Sequence, residues 1–487
     1  MTEVAIPIGK SDAATPHEAA MTAAESSVIL RCCRKGHELI FDYARSLHLP
    51  NLSQGCGVGI VSTLLPIYAR HLGASDAMIG AIVSANSIGK VFCDVPASIM
   101  VHEHSVRLVM VGANVMHVCG TLLAWIAPSA DFVLICAGLW GGSIAVYFVA
   151  RNHFLADSIA KETRGRLFSV MGGVLRWAMV IGPLIGGVAA DFMGARNALL
   201  VTIPFIALTA FCSHSSERIR SNDEKQRAER EEARKQQSEG ASHKEHRSGV
   251  TGHLLDVWDT ATEHYKAVLS VGVFAGLLAS LRICRRLFLP LAAMNLNLPA
   301  TQVGLILTVS FLVDASFFWI GGIIVDKYGR KASAIPTALL LALAFVFLSS
   351  TTTAFYLWAS ALFFGLSGCV GSGVILTLIA DVAPQKGSKK KGFMGAMRLV
   401  QDLGGVVGPM LAGVMLHFFD FRNACLAVGG IGFFAAGWCY FLVEETHGAS
   451  DIKTASPQAG STEFPTIDLK VEDPRKYSST EDLVQCE

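Results

Sequence analysis

From about residue 50 to about residue 445 the sequence is a succession of apolar runs of about 20 residues, separated by short polar loops. That length is what a helix needs to cross a hydrocarbon core of about 30 Å. Taken in order, the runs fall at about 51–72, 77–101, 106–127, 130–155, 166–191 and 194–212, and again at 266–290, 301–325, 332–352, 354–381, 392–417 and 421–444. Charged residues make up only 16% of the chain, against roughly 25% in soluble proteins. The expected fold is an all-α membrane protein with twelve transmembrane helices in two pseudo-symmetric six-helix bundles. A net charge of +1 leaves no electrostatic footprint for nucleic acid. Most of the 12 cysteines, including Cys56, Cys136 and Cys439, lie in apolar runs, where Cys packs as a small hydrophobe.

Five segments follow: a cytoplasmic N-terminal tail at 1–50, a first six-helix bundle at 51–212, a charged cytoplasmic linker at 213–265, a second bundle at 266–444 and a disordered cytoplasmic tail at 445–487. Residues 1–26 lack a basic start followed by an apolar core, so no cleavable signal peptide is expected. Residues 27–47 fit an amphipathic surface helix on which Cys32 and Cys33, beside Arg34 and Lys35, are candidates for acylation. The linker alternates charges too densely to be buried and reads as a solvated helix or a disordered tether. Lys and Arg cluster in the loops on one side (Arg107; Lys161, Arg164 and Arg166; Lys327, Arg330 and Lys331; Lys386 and Lys389 to Lys391), which puts that side, both termini and the linker in the cytoplasm.

The two halves repeat one another. Leu65-Pro66 aligns with Leu289-Pro290, Gly80 with Gly304 and Asp157 with Asp381, each pair 224 residues apart. After a two-residue insertion, Gly182-Pro183 aligns with Gly408-Pro409 and Arg196-Asn197 with Arg422-Asn423. Six spans per half and a cytoplasmic linker make the repeat parallel, about an axis along the membrane normal, an arrangement of two bundles that rock around a central site.

Between the eighth and ninth spans runs GIIVDKYGRK, from Gly322 to Lys331. It resembles the signature loop of the major facilitator superfamily. The resemblance implies a conformational-switch loop: Gly322 for close helix approach, Asp326 as an acidic anchor, Gly329 for a tight reversal, and Lys327, Arg330 and Lys331 as basic partners. The first-half counterpart, Ser98 to Arg107, has His102 in place of the anchor and serines in place of both glycines. In the fifth span, Gly173, Gly182, Pro183, Gly186 and Gly187 resemble a motif that the family shows mainly in antiporters, and the drug:proton antiporter branch is the one suggested. The eleventh-span echo around Gly404, Gly408 and Pro409 gives the same residues a helix-packing reading. The Arg that many proton-coupled drug antiporters carry in span four is absent; Ala137 stands at its position.

A charge at the bilayer centre costs at least about 2.5 kcal/mol, so each intramembrane charge needs a partner or water. Lys90 and Asp94 in span two, Arg176 in span five, Asp314 in span eight, and Arg398 and Asp402 in span eleven meet this description. In the family's fold spans two and eleven, and five and eight, adjoin across the halves, which suggests pairs Lys90–Asp402 and Arg176–Asp314, with Asp94 and Arg398 one turn away. In span seven Arg282, Arg285 and Arg286 share one face; Arg285 and Arg286 are expected to snorkel outward and Arg282 to lie deeper, where its planar fork could hold a carboxylate or phosphate. Arg151 in span four is a second candidate for substrate contact.

No nucleotide loop, metal spacing or nucleophile arrangement is present in the sequence, so neither enzymatic activity nor a metal or cofactor is expected. The leading reading is a secondary transporter, monomeric and in contact with membrane lipid, that moves small organic solutes by alternating access with proton-coupled antiport or efflux. The alternatives are an organic-anion symporter or facilitator using the intramembrane arginines, and a transporter-shaped receptor that moves nothing.

Overall fold

The structure is a computed structural model that describes residues 43–159, 161–238, 258–384 and 388–445, of which 161–166, 233–238 and 388–391 by backbone alone. Cys32, Cys33, Lys386, most of the 27–47 segment and the tail from 446 lie outside the described residues, as do the side chains of Lys161, Arg164 and Arg166.

The first half comprises α1 (Leu49–His71), α2 (Asp76–Glu103), α3 (Val106–Trp125), α4 (Ala130–Ser158), α5 (Lys161–Ala198) and α6 (Thr202–Ser215). Helix α7 (Glu217–Ser238) occupies the first part of the linker; Ile219, Asn222 and Asp223 on one face are buried against the first half, and most of its other described side chains are exposed. The second half comprises α8 (Val273–Asn295), α9 (Ala300–Tyr328), α10 (Arg330–Ser349), α11 (Ala354–Val370), α12 (Val374–Val382), α13 (Ser388–Phe418) and α14 (Phe421–Leu442).

Eleven helical segments are long and apolar enough to cross a membrane, and one of them, Leu167–Ser215, has 49 residues. A straight helix of that length would run about 70 Å, more than twice the bilayer core. It turns back at Gly194, whose φ of +80° and ψ of 151° are open to glycine alone at low cost. The returning stretch, α6, packs beside α1 and α3. The membrane-crossing helices therefore number twelve, the tenth span consisting of α11 and α12.

The halves meet where α5 packs on α9 and α2 packs on α13. Small residues set that contact. A Cβ on Gly187 would lie 3.1 Å from the Cα of Gly304, and one on Gly80 would lie 2.6 Å from the Cα of Gly413. Since Gly80 and Gly304 are repeat counterparts, as are Gly187 and Gly413, the interface is one contact used twice. Gly182 and Gly186 instead face α1 at Gly59 and Ile60, within their own half, while Gly173 has only ordinary contact with Phe318, at 3.8 Å.

One hydrophobic cluster runs through both halves, and a second is confined to the first half, where Ile219 of α7 joins Val101, Val106 and Phe154. On the face away from the linker the halves are also hydrogen-bonded: Asp191 at the end of α5 accepts from the backbone N–H groups of Ala300 and Thr301 at 2.9 and 2.8 Å, and Arg70 donates to Asn295 at 2.8 Å.

Candidate functional site

The tenth span is interrupted at Gly371–Gly373, between α11 and α12. A break at membrane depth is tolerated where it lines a polar cavity, because the freed backbone groups then find partners. A cavity of about 310 Å³ adjoins it, lined by Arg176, Arg282, Arg285, Asp314, Ser372 and Gln401 among others. The first turn of α12, at Ile375 and Leu376, also borders it, and a helix N-terminus carries partial positive charge.

Three helices deliver the charged side chains. From α5, Arg176 donates through Nε to Asp314 Oδ1 on α9 at 3.3 Å, through Nη2 to Ser372 Oγ at 2.9 Å and through Nη1 to the carbonyl of Gly172 at 3.3 Å. Its guanidinium also lies 4.9 Å from the centre of the Phe318 ring. From α8, Arg282 donates to the freed carbonyl of Gly371 at 3.2 Å. One turn on, Arg285 is only 7% exposed, donates to Ser310 Oγ at 3.3 Å and stacks over Phe311 at 4.3 Å.

The expectation that Arg285 and Arg286 snorkel is therefore wrong. The shared face of α8 is turned towards its neighbours in the bundle, so these side chains reach inward. The Nε atoms of Arg285 and Arg286 have no hydrogen-bond partner among the described residues. Arg286 borders a separate small cavity of about 40 Å³ with Val58, Asn86 and Ser87 of the first half. Periodicity had grouped the three arginines; their common inward direction follows from how α8 is rotated against its neighbours.

Between α2 and α13 a different set forms. Arg398 donates through Nη2 to Asp94 Oδ1 at 3.2 Å and pairs through Nε with Asp402 Oδ2 at 3.6 Å, so one guanidinium holds two carboxylates from opposite halves. Lys90 makes no ion pair within 4 Å among the described residues, which corrects the expected Lys90–Asp402 contact; Arg398, one turn from Asp402 on the same helix, takes that carboxylate instead. Lys90 has Arg286, Asp402, Asp94 and Arg398 as its charged neighbours.

Arg151 does not line the cavity. It donates to Asn51, whose amide donates to the Met171 carbonyl at 2.9 Å, and its guanidinium lies over Phe148 at 4.5 Å. His117 pairs with Ser143 at 3.0 Å, and Trp140 donates to Thr121 at 3.1 Å inside the first bundle.

In the loop between α9 and α10, Gly329 has φ +99° and makes the reversal. Arg330 pairs with Asp381 at 2.7 Å, its backbone N–H and that of Lys331 donate to the two carboxylate oxygens of Glu445 at 2.9 Å each, and Lys331 Nζ donates to the Tyr440 carbonyl. Two expectations fail here. Asp326 is exposed and makes no hydrogen bond or ion pair among the described residues, so Asp381 and Glu445 are the acidic anchors; Lys327 lies 5.5 Å from the Tyr328 ring. A Cβ on Gly322 would meet open space, whereas one on Gly321 would lie 2.2 Å from the Cys369 carbonyl, so the close approach belongs to the neighbouring glycine.

Comparison with known proteins accounts for this architecture. The sequence model of the Major Facilitator Superfamily matches residues 51–284 and again 274–471. The chain belongs to that superfamily. An uncharacterised MFS-type transporter of Methanocaldococcus jannaschii is 21% identical over 370 residues, 75% of this chain and 89% of that protein. The multi-drug resistance efflux pump PmrA of Streptococcus pneumoniae is 30% identical over 154 residues, 31% of this chain and 38% of PmrA. Among solved structures, the nucleoside transporter NupG superposes with a TM-score of 0.64 at 13% identity, over 82% of this chain and 98% of that one. A D-xylose-proton symporter also gives 0.64, at 15% identity, over 84% of this chain and 98% of its own. The chain is thus a multi-pass integral membrane transporter of the superfamily, and small molecules are its class of substrate.

Proposed function

We propose that this member of the superfamily moves a small organic anion across the membrane by alternating access, with Arg282, Arg285 and Arg176 around the substrate. The observation that carries the reading is the cavity itself: three guanidinium groups and a helix N-terminus face one carboxylate, Asp314. Removed from bulk water, the excess positive charge is costly until an anion offsets it. Planar guanidinium forks suit carboxylate or phosphate oxygens. The Arg176–Asp314 pair spans the halves, so a bound anion drawing Arg176 away would loosen α5 from α9 and couple occupancy to rocking. With the linker taken as cytoplasmic, the tightly packed Gly187–Gly304 and Gly80–Gly413 contacts lie on the outer side, which supports reading this arrangement as an outward-closed state.

A second reading, proton-coupled antiport or efflux, draws on the likeness to PmrA and on Arg398 held between Asp94 and Asp402. Two carboxylates around one guanidinium can exchange a proton for the cation, which is the chemistry a coupling site needs.

The test is flux in proteoliposomes, using labelled monocarboxylates, dicarboxylates, phosphate esters and cationic dyes, with and without a pH gradient. Uptake of an anion class that Arg282→Gln and Arg285→Gln abolish supports the first reading. Transport of the dyes alone, driven by the pH gradient and lost in Asp94→Asn, would replace it with the second, and no flux of any solute would favour a receptor.

A further inference from the structure

Two cavities meet at the linker-side start of α3. One is an apolar groove of about 410 Å³ between α2 and α3, walled by Pro96, Met100, Leu108, Gly112 and Met116. The other is a polar cleft of about 690 Å³ between α3 and α7, rimmed by Arg107, Arg227 and Arg230. Both include His104 and Leu108, so the groove opens into the cleft. We infer that the pair forms a binding site for an anionic glycerophospholipid, its phosphate in the cleft under α7 and one acyl chain in the groove between α2 and α3.

The site has the shape and polarity of an amphiphile. Leu108 is 62% exposed and Met100 41%, and a Cβ on Gly112 would meet nothing within 4 Å, so the groove is an unfilled apolar channel in the membrane-facing surface of the bundle. At its mouth the side chains of Arg107 and Arg227 make no hydrogen bond or ion pair among the described residues, and neither do those of Glu103 and Glu231. Arg230 is anchored, donating to the carbonyls of Val101 at 3.1 Å and His104 at 3.4 Å. The α3 N-terminus is already served, because Asp223 of α7 accepts from the N–H groups of Val106 and Arg107 at 2.8 and 3.3 Å. Three arginines against two glutamates leave the rim positive, with Arg107 and Arg227 free to take a phosphate. The cleft starts in the first turn of a membrane-spanning helix, the depth of a lipid headgroup, where a cationic side chain favours anionic over zwitterionic lipid. A lipid here would tie α7 to α3 beyond the carboxylate of Asp223 and the packing of Ile219.

The test is native mass spectrometry of the full chain released from nanodiscs that contain phosphatidylglycerol and phosphatidylcholine with identical acyl chains. Retention of phosphatidylglycerol should exceed that of phosphatidylcholine, and the double variant Arg107→Gln with Arg227→Gln should reduce the preference by about twenty-five-fold, about a factor of five for each arginine. The substituted side chains make no hydrogen bond or ion pair among the described residues, so folding should be kept. Gly112→Leu should fill the groove and lower retention of both lipids. Equal retention of the two lipids by the wild type, or a preference unchanged in the double variant, would overturn the proposal. So would displacement of the lipid by glycerol 1-phosphate at equal concentration, since the site would then be one for a soluble anion.

Discussion

The junction between α2 and α3 and the junction between α9 and α10 are the same place in the two halves, and they are built differently. In each, a carboxylate from just beyond the half's last span accepts the first two N–H groups of the third span: Asp223 for Val106 and Arg107, and Glu445 for Arg330 and Lys331. The reversal itself differs. Gly329 makes it in the second half, whereas in the first His104 is extended and Ser105 caps α3 by accepting from Leu108 at 3.1 Å. The repeat-equivalent acids differ in partner as well. Asp381 pairs with Arg330; in the first half that arginine is Val106, and Asp157 pairs with His153 at 2.9 Å and accepts from Gln226 of α7 at 2.6 Å. The second half closes its junction with its own loop arginine, and the first half uses the linker helix. The lesson is that a relaxed motif need not leave a relaxed junction, because another element can supply the missing contacts.

The largest effect is expected where the comparison extends to mid-depth, at the two charge sets that join the halves. Arg176→Asp, or Asp314→Arg, should leave like charges facing one another at a cost of at least about 2.5 kcal/mol and suppress flux in vesicles. The double exchange should restore part of it. A double exchange no better than the worse single variant would mean that the 3.3 Å contact does not carry the coupling between α5 and α9.

Gly329→Val should come next. It imposes a strain of about 1–3 kcal/mol at a φ of +99° and sets a side chain about 3.1 Å from the Glu445 carboxylate. Ser105→Val loses one cap, worth about 1 kcal/mol. Thermal unfolding in detergent should therefore fall further for the glycine variant, and equal shifts would erase the difference drawn between the two reversals.

Glu445→Gln and Asp223→Asn remove one carboxylate charge each while keeping an acceptor, and each should cost up to about 1 kcal/mol. Hydrogen exchange would separate them. The first should loosen the start of α10, the second both the start of α3 and α7. Protection of α7 unchanged in Asp223→Asn would show that the linker helix is held by its other contacts.

The smallest effects belong to Asp326→Asn and His102→Ala, which should each stay within about 0.5 kcal/mol of the parent, as surface changes do. Loss of flux in Asp326→Asn at unchanged thermal stability would mean that Asp326 finds its partner in another conformation of the cycle.

Span number and the parallel repeat were legible in the sequence, because each depends on length, hydropathy or a spacing that survives duplication; that Gly80, Gly187, Gly304 and Gly413 form the contact between the halves was not. The intramembrane charges were also legible as a set, since a charge in an apolar run stands out whatever surrounds it. Their partners were not. Lys90 on α2 and Arg398 on α13, far apart in the chain, lie near the same two carboxylates, and only the packing of α2 against α13 gave them to Arg398. The inward direction of Arg285, the break that lets Gly371 and Ser372 serve Arg282 and Arg176, and the carboxylates that cap helices 117 and 115 residues away were likewise decided by tertiary structure. Hydropathy is a property of a segment and can be summed along the chain. A hydrogen bond needs two atoms within about 3 Å, and that distance is set by packing between helices that the sequence order does not bring together.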